Sequence, residues 1–386
     1  MRIGESARFT PKLRAFEQFV RRRLMLNSKS DVEYGRDTAV ENLLIRQVTE
    51  EMAPSWNEFV ASHERATIYH RFELLGLLSR LFGHQTRGFT AVDESGVVVG
   101  ILPVVRLKSL LFGDFMVSMP YFNYGGAIAD SLSIEAALMR RVAEYASQHG
   151  VAHVEFRDEI ERDASWCLRT DKVTMELALP DNPGRLLSSF GSKLRSQIRR
   201  PTKEGATALV GGVELVDQFY HVFSRNMRDL GTPVYSRLFF DQLLQQFPDE
   251  TSIHVVQYEG RPVACGLTIR NRPGVTEIPW ASSLREYNRI SANMLLYWSV
   301  LERAVEEGQS RFDFGRCTRD TGTYRFKKQW GAVERGLNWH YWLSSPDKMP
   351  ALNPANPKFQ LAISIWKQLP LWVTNRLGPV LVRNLP

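Results

Sequence analysis

The chain has 386 residues, 44% hydrophobic and 24% charged, a net charge of +7 and three cysteines, Cys167, Cys265 and Cys317, with no CxxC spacing. That length predicts two domains, and the scattered cysteines argue against a disulfide framework or a thiolate metal site, so a reducing compartment and no metal are expected. No run of about 18 apolar residues and no signal-peptide pattern occurs, which predicts a cytoplasmic protein, and the body is too near neutral for one that coats nucleic acid.

Residues 1–40 read as a basic leader, in which Arg2, Arg8, Lys12, Arg14, Arg21, Arg22, Arg23 and Lys29 face only Glu5 and Glu17 up to residue 30. Such an arm is usually solvated or turned to lipid. A first lobe is expected over 41–180. It starts with a strand at 42–48 and a helix at 51–62 that turns Trp56, Phe59 and Val60 to one side, then a helix at 72–82. Strands at 88–92 and 97–106 flank the turn Asp93-Glu94-Ser95-Gly96 as a hairpin, and a helix at 134–149 ends at Gly150 before a strand at 151–156.

The same grammar returns in a second lobe expected over 181–345. A hairpin joins 253–258 to 261–269 through Glu259-Gly260, and a helix at 293–307 ends at Gly308 before a strand at 311–314. An acidic-aromatic pair follows the glycine at equal spacing in both copies, Glu155-Phe156 and Asp313-Phe314. This reads as an internal duplication, and the alternation of strands and helices predicts an α/β chain with mixed sheets flanked by helices.

Residues 346–386 form an amphipathic tail. Between 358 and 382 aliphatic and aromatic residues mix with Lys358 and Lys367, with Arg376 and Arg383 close by, and Pro370 and Pro379 argue against one long helix. The segment suits an anionic inner-membrane surface, with Trp366 and Trp372 at the headgroups, as well as it suits packing back onto the lobes.

Most residues with chemical promise fall in the second lobe. Arg195 and Arg199, four apart in the helical run 193–200, share a face where an anion such as phosphate would relieve their repulsion. Asn226, Arg228 and Tyr235 surround a helix end at Gly231. Trp280, Tyr287 and Asn288 lie in a polar, aromatic connection from a strand to a helix, where α/β proteins commonly place ligands. Asp313-Phe314-Gly315-Arg316 and the run Gly322-Thr323-Tyr324-Arg325-Phe326-Lys327-Lys328-Gln329-Trp330-Gly331 combine a strand, a loop and a basic-aromatic helix. A kinase is excluded, because its Gly-rich loop, strand lysine and His-Arg-Asp loop are missing.

Taken together, the basic run 193–200, Asn226-Met227-Arg228-Asp229-Leu230-Gly231-Thr232-Pro233, the stretch 280–288 and Tyr324 to Gly331 resemble the FemAB-related proteins of exosortase (PEP-CTERM) exopolysaccharide loci, over about residues 40–345. The Fem ligases to which these are similar have two GNAT-like lobes and add amino acids from aminoacyl-tRNA to peptidoglycan precursors. The resemblance implies two tandem GNAT-like lobes and an N-acyltransferase that joins an acyl or aminoacyl group to an amine on an exopolysaccharide or envelope precursor. By the same resemblance Lys327 is the catalytic lysine beside the reacting carbonyl, while Asp313 is the nearest candidate base.

Arg195, Arg199, Asn226, Tyr235, Trp280, Tyr287, Asn288, Arg316, Tyr324, Arg325, Lys328 and Trp330 make up the expected substrate-binding set, toward a nucleotide- or lipid-linked sugar acceptor. No permanently bound cofactor is expected. The co-substrate is acyl-CoA or aminoacyl-tRNA, which makes tRNA a candidate partner; residues 284–293 lack the glycines of an acetyl-CoA pyrophosphate loop. The rival reading is a non-catalytic scaffold of a polysaccharide-assembly complex at the inner membrane.

Overall fold

The computed structural model describes residues 43–110, 112–162, 166–345, 349 and 357–385, so the basic leader lies outside the described residues. Met1–Asn42 separates as one unit and Leu43–Pro386 as another, and the second is the subject here.

Local sequence explains most of the elements. Strand β1 (Leu44–Gln47) precedes helix α1 (Ala53–Ser62), which buries Trp56, Phe59 and Val60, and helix α2 (Phe72–Phe82), which stops at Gly83 in a left-handed conformation. Strands β2 (Gln85–Val92) and β3 (Val98–Ser109) form the expected hairpin. Next come β4 (Gly113–Val117), β5 (Ile128–Ala129), helix α3 (Leu132–Gln148), whose first turn is capped by the Ser131 side chain, and β6 (His153–Asp158). Strands β7 (Cys167–Arg169) and β8 (Lys172–Ala178) close the first half.

The second half repeats the series. Helices α4 (Pro183–Ser189) and α5 (Ser192–Lys203) lead to β9 (Thr207–Gly211), α6 (Val216–Leu230), α7 (Arg237–Gln246) and the hairpin of β10 (Thr251–Tyr258) with β11 (Arg261–Arg272). Then follow β12 (Val275–Ser283), α8 (Ala292–Glu306), β13 (Arg311–Thr318), α9 (Gly322–Lys328), β14 (Val333–Gly336) and β15 (Asn338–Leu343).

The two sheets share a seven-strand order, and β5 adds an eighth strand to the first by pairing with β3. One runs β1-β2-β3-β4-β6-β15-β7 and the other β9-β10-β11-β12-β13-β8-β14. Each has one parallel pair among the described residues, β4 with β6 and β12 with β13, and Glu155 and Asp313 stand at the end of the paired stretch in each. The last strand of each half has changed sheets: β8 pairs with β13 and β14, and β15 with β6 and β7. An expected cut at 180/181 therefore does not separate the sheets, since β8 lies before it and β15 after it.

Apolar faces finish the assembly. Helix α3 covers the first sheet through Leu138, Met139 and Val142, and α8 covers the second through Val300, Leu301 and Val305. A third core joins the halves, with Phe122 and Tyr124 from the first packed in one cluster with Phe219, Phe239, Phe240 and Trp280 from the second. The tail forms two helices, α10 (Pro357–Gln368) and α11 (Leu371–Val382), broken at Pro370, while Pro379 sits inside α11.

Candidate functional site

The pairing of β12 with β13 lasts only from Val275–Arg311 to Glu277–Asp313. Beyond it β12 continues beside β11, where Trp280 to Ser283 pair with Ala264 to Leu267, whereas β13 bulges between Asp313 and Arg316. Gly315 makes the bulge with φ of 75°, a left-handed value that a side chain resists. The two strands part, and from residue 278 the β13-facing edge of β12 has no strand partner among the described residues.

A cleft of about 320 Å³ lies at the parting, lined by Ala281, Ser282 and Ser283 of β12, Asn293, Leu296 and Tyr297 of α8, Gly322, Thr323 and Phe326 of α9, and Asn226 and Leu230 of α6. Asn226 Nδ2 donates to Ser282 Oγ at 3.0 Å. Helix α8 enters the cleft after a 3-10 turn over Arg285–Ile290, and Ser291 takes φ of 60°, so the chain makes this sharp entry without a glycine. No side chain caps α8; Met294 N bonds Ser291 O, while the Ala292 and Asn293 amides have no acceptor among the described residues. Free amides at a helix N-terminus attract anions.

Lys327 sits beneath the bulge. It is 3% exposed, and its Nζ donates to Gly315 O at 2.7 Å and Arg316 O at 3.0 Å. Burial lowers its pKa, opposed by Cys317, Asp313 and Glu277. Two of its three N–H groups thus hold the bulge and one is uncommitted.

Asp313 accepts hydrogen bonds from Tyr124 Oη and Thr174 Oγ1 and from Gly315 N at 2.8 Å. Beside it, Glu277 is fully buried and accepts from Tyr69 Oη at 2.7 Å, Asn123 Nδ2 at 2.6 Å and Asn271 Nδ2 at 2.8 Å. Burial, then the neighbouring Asp313, pushes Glu277 up to about 8. Tyr69, Asn123 and Tyr124 belong to the first half, so two acids of the second sheet are satisfied across the junction. The loop at 120–126 is pinned there by Asn123 and Tyr124.

Arg316 points the other way, into the junction. Its guanidinium lies 4.8 Å from the Trp339 ring and Arg157 lies 4.6 Å from the same ring. Arg157 donates to Glu155 at 2.8 Å, but no described residue offers the Arg316 guanidinium an acceptor. Burial, then Arg157, lowers its pKa to about 10.

The other expected residues scatter. Tyr235 and Trp280 meet in the junction core, ring centroids 6.1 Å apart, and burial raises Tyr235 to about 12. Arg195 donates to the carbonyls of Ser188 (3.2 Å) and Phe190 instead of waiting for an anion, and Arg199 is exposed on α5, so the pair does not line the cleft. Tyr287 packs on Tyr258 and Asn288 is exposed. Tyr324 donates to Glu334 at 2.8 Å, Lys328 lies over the Tyr324 ring at 5.7 Å, and Arg325 is exposed. Trp330 is wholly buried, packed on Phe190 and Phe314, and serves as core. Sequence reading missed Glu277; its signal was the single charged residue in the strand Val275–Ser283.

Comparisons with known proteins agree with this geometry. Residues 188–328 match the acetyltransferase (GNAT) domain family, a span that contains the whole cleft. No curated protein matches the chain in sequence. Among solved structures the chain is similar to FemX, with a TM-score of 0.60 and 14% identity over 77% of this chain and 96% of that one. It is also similar to L-PGS from Bacillus licheniformis, with a TM-score of 0.51 and 14% identity over 83% and 98%. A third likeness is the C-terminal domain of a putative lysylphosphatidylglycerol synthetase from Agrobacterium fabrum, with a TM-score of 0.51 and 14% identity over 75% and 91%. Residues 188–328 thus match the acetyltransferase (GNAT) domain family, and the chain folds overall like FemX.

Proposed function

We propose that the protein is an N-acyltransferase whose activated acyl donor lies in the cleft where β12 and β13 part. The observation that carries this is the unpaired edge of β12 from residue 278, which offers backbone donors and acceptors to an extended ligand as a neighbouring strand would. The free amides of α8 at the same end support a donor with a phosphate-bearing tail, a feature that acyl-CoA and aminoacyl-tRNA share.

In the reaction the acceptor amine attacks the thioester carbonyl, a C–N bond forms, the C–S bond breaks, and the amine's proton leaves as the thiolate takes one up. Negative charge collects on the carbonyl oxygen. The ammonium of Lys327, desolvated and held by two carbonyls, is the cation we assign to it. Asp313, with three donors already on its carboxylate, fits a structural role at the junction better than that of a base.

For the acceptor we propose an amine on an anionic envelope or exopolysaccharide precursor, such as a nucleotide- or phosphate-linked amino sugar. The guanidinium of Arg316, which stacks on Trp339 and has no hydrogen-bond acceptor among the described residues, supports an anionic group on the junction side. A thermal-shift panel of acetyl-CoA, a longer acyl-CoA, uncharged tRNA and a UDP-N-acetyl sugar tests the reading, because a ligand of the folded state raises Tm. A CoA thioester is expected to stabilise the protein. Stabilisation by tRNA alone would move the donor to aminoacyl-tRNA, and silence from all four would overturn the enzyme reading.

A further inference from the structure

The tail has two unlike faces. On the inner one Thr374, Gly378 and Val382 are buried. Gly231 fits so closely under α10 that a Cβ there would lie 2.5 Å from Ile363 Cγ2, and one at Gly378 would lie 2.9 Å from the Val234 backbone. The Arg383 carbonyl accepts from Tyr121 Oη at 2.7 Å, tying the end of the tail to the first half. The helix pair is therefore docked in one orientation.

The outer face holds Leu361, Ile365, Trp372, Leu377 and Val380, which are 64%, 54%, 72%, 45% and 54% exposed. Exposed Lys367, Arg376 and Arg383 stand among them, and Trp372, Arg376 and Val380 follow one another at four-residue spacing along one side of α11. From residue 348 to 386 the sequence has no Asp or Glu, while Lys348, Lys358, Lys367, Arg376 and Arg383 are all basic.

We infer that this face seats the protein in the interface of an anionic lipid bilayer. Large apolar side chains interleaved with cations, with no anion between them, ask for a surface that is apolar and negative throughout. A lipid leaflet supplies both, acyl chains beneath and phosphates above. Each helix has 12 residues, roughly 18 Å at the α-helical rise and well short of a span of about 30 Å, so the pair lies along the membrane. None of the described helices is long and apolar enough to cross one. The inner side of the tail borders the cleft, since Leu230 of the cleft wall adjoins Gly231, on which Ile363 packs. The seat stands whether or not the cleft transfers acyl groups.

Co-sedimentation of the full chain with phosphatidylcholine vesicles, with and without phosphatidylglycerol, tests this. The wild type is expected to bind the anionic vesicles. Trp372→Ser with Leu377→Ser should weaken binding at least about tenfold, and Lys367→Gln with Arg376→Gln by roughly tenfold or more at low salt. An unchanged Tm would show that both exposed pairs leave the fold intact. No binding by the wild type overturns the inference. So does equal binding by wild type and variants, which would assign the attraction to another segment such as the basic residues 1–40. Lipid-independent self-association that the apolar substitutions abolish would make a second copy the occupant and also overturn it.

Discussion

Replacing Lys327 by Met keeps the length of the side chain and removes its charge. The ammonium now donates to Gly315 O and Arg316 O within a site that is 3% exposed. Its loss leaves both carbonyls short of a donor and removes a cation that Glu277 and Asp313 favour. A hydrogen bond to a charged group contributes about 1.5–3 kcal/mol, and some of that is returned because the ammonium no longer has to be desolvated. The net loss should be about 2–4 kcal/mol, a fall in Tm of roughly 4–8 °C. If the same cation also stabilises the oxyanion, kcat should drop by about a hundredfold or more with little change in KM. Urea unfolding and steady-state acyl transfer measure the two effects separately. A Lys327→Met protein as stable as the wild type would refute its role at the bulge, and full kcat in a destabilised variant would refute its catalytic role.

The other predictions concern the cleft, the junction and the tail. Ser283→Trp, at the cleft wall, should leave Tm unchanged without ligand and abolish stabilisation by acyl-CoA in a thermal-shift assay. Glu277 keeps its proton up to about pH 8 in the folded state, while the unfolded chain loses it near 4.5. Folding then retains a proton that unfolding releases, so this group lowers stability as pH rises from about 4.5 to 8. Tm of Glu277→Gln relative to wild type should therefore be more favourable at pH 8 than at pH 5, and a pH-independent difference would refute the shift. Tyr124→Phe removes a donor to Asp313 across the junction and should cost about 1.5–3 kcal/mol in urea unfolding. Gly231→Ala puts a methyl group at φ of 81°, against Ile363, and should cost about 1–3 kcal/mol.

Elements with a strong local signal were legible in the sequence. Helix α2 runs over Phe72–Phe82 as its apolar spacing and Gly83 dictate, and both hairpins turn at their polar-glycine corners. The duplication was legible as well, because Glu155-Phe156 and Asp313-Phe314 mark equivalent strands. The exchange of β8 and β15 was not, since an apolar strand records that it needs a neighbour but not which sheet supplies it. Arg195 and Arg199 looked like an anion clamp because spacing reveals like charges on one face. It does not reveal the carbonyls at the end of α4 that occupy Arg195. Spacing likewise placed Trp330 near Lys327 but could not distinguish a core indole from a ligand wall. In the tail, Pro370 broke the helix as expected, whereas Pro379 was accommodated inside α11.

The central claim is that an activated acyl donor lies along the free edge of β12. Hydrogen exchange of the β12 amides at 278 and 280–283 and of the first turn of α8, with and without acyl-CoA, tests it most directly. Slower exchange at these two places when the donor is present is the predicted result. Unchanged exchange there with acyl-CoA and with aminoacyl-tRNA, or protection confined to the first sheet, would contradict the account.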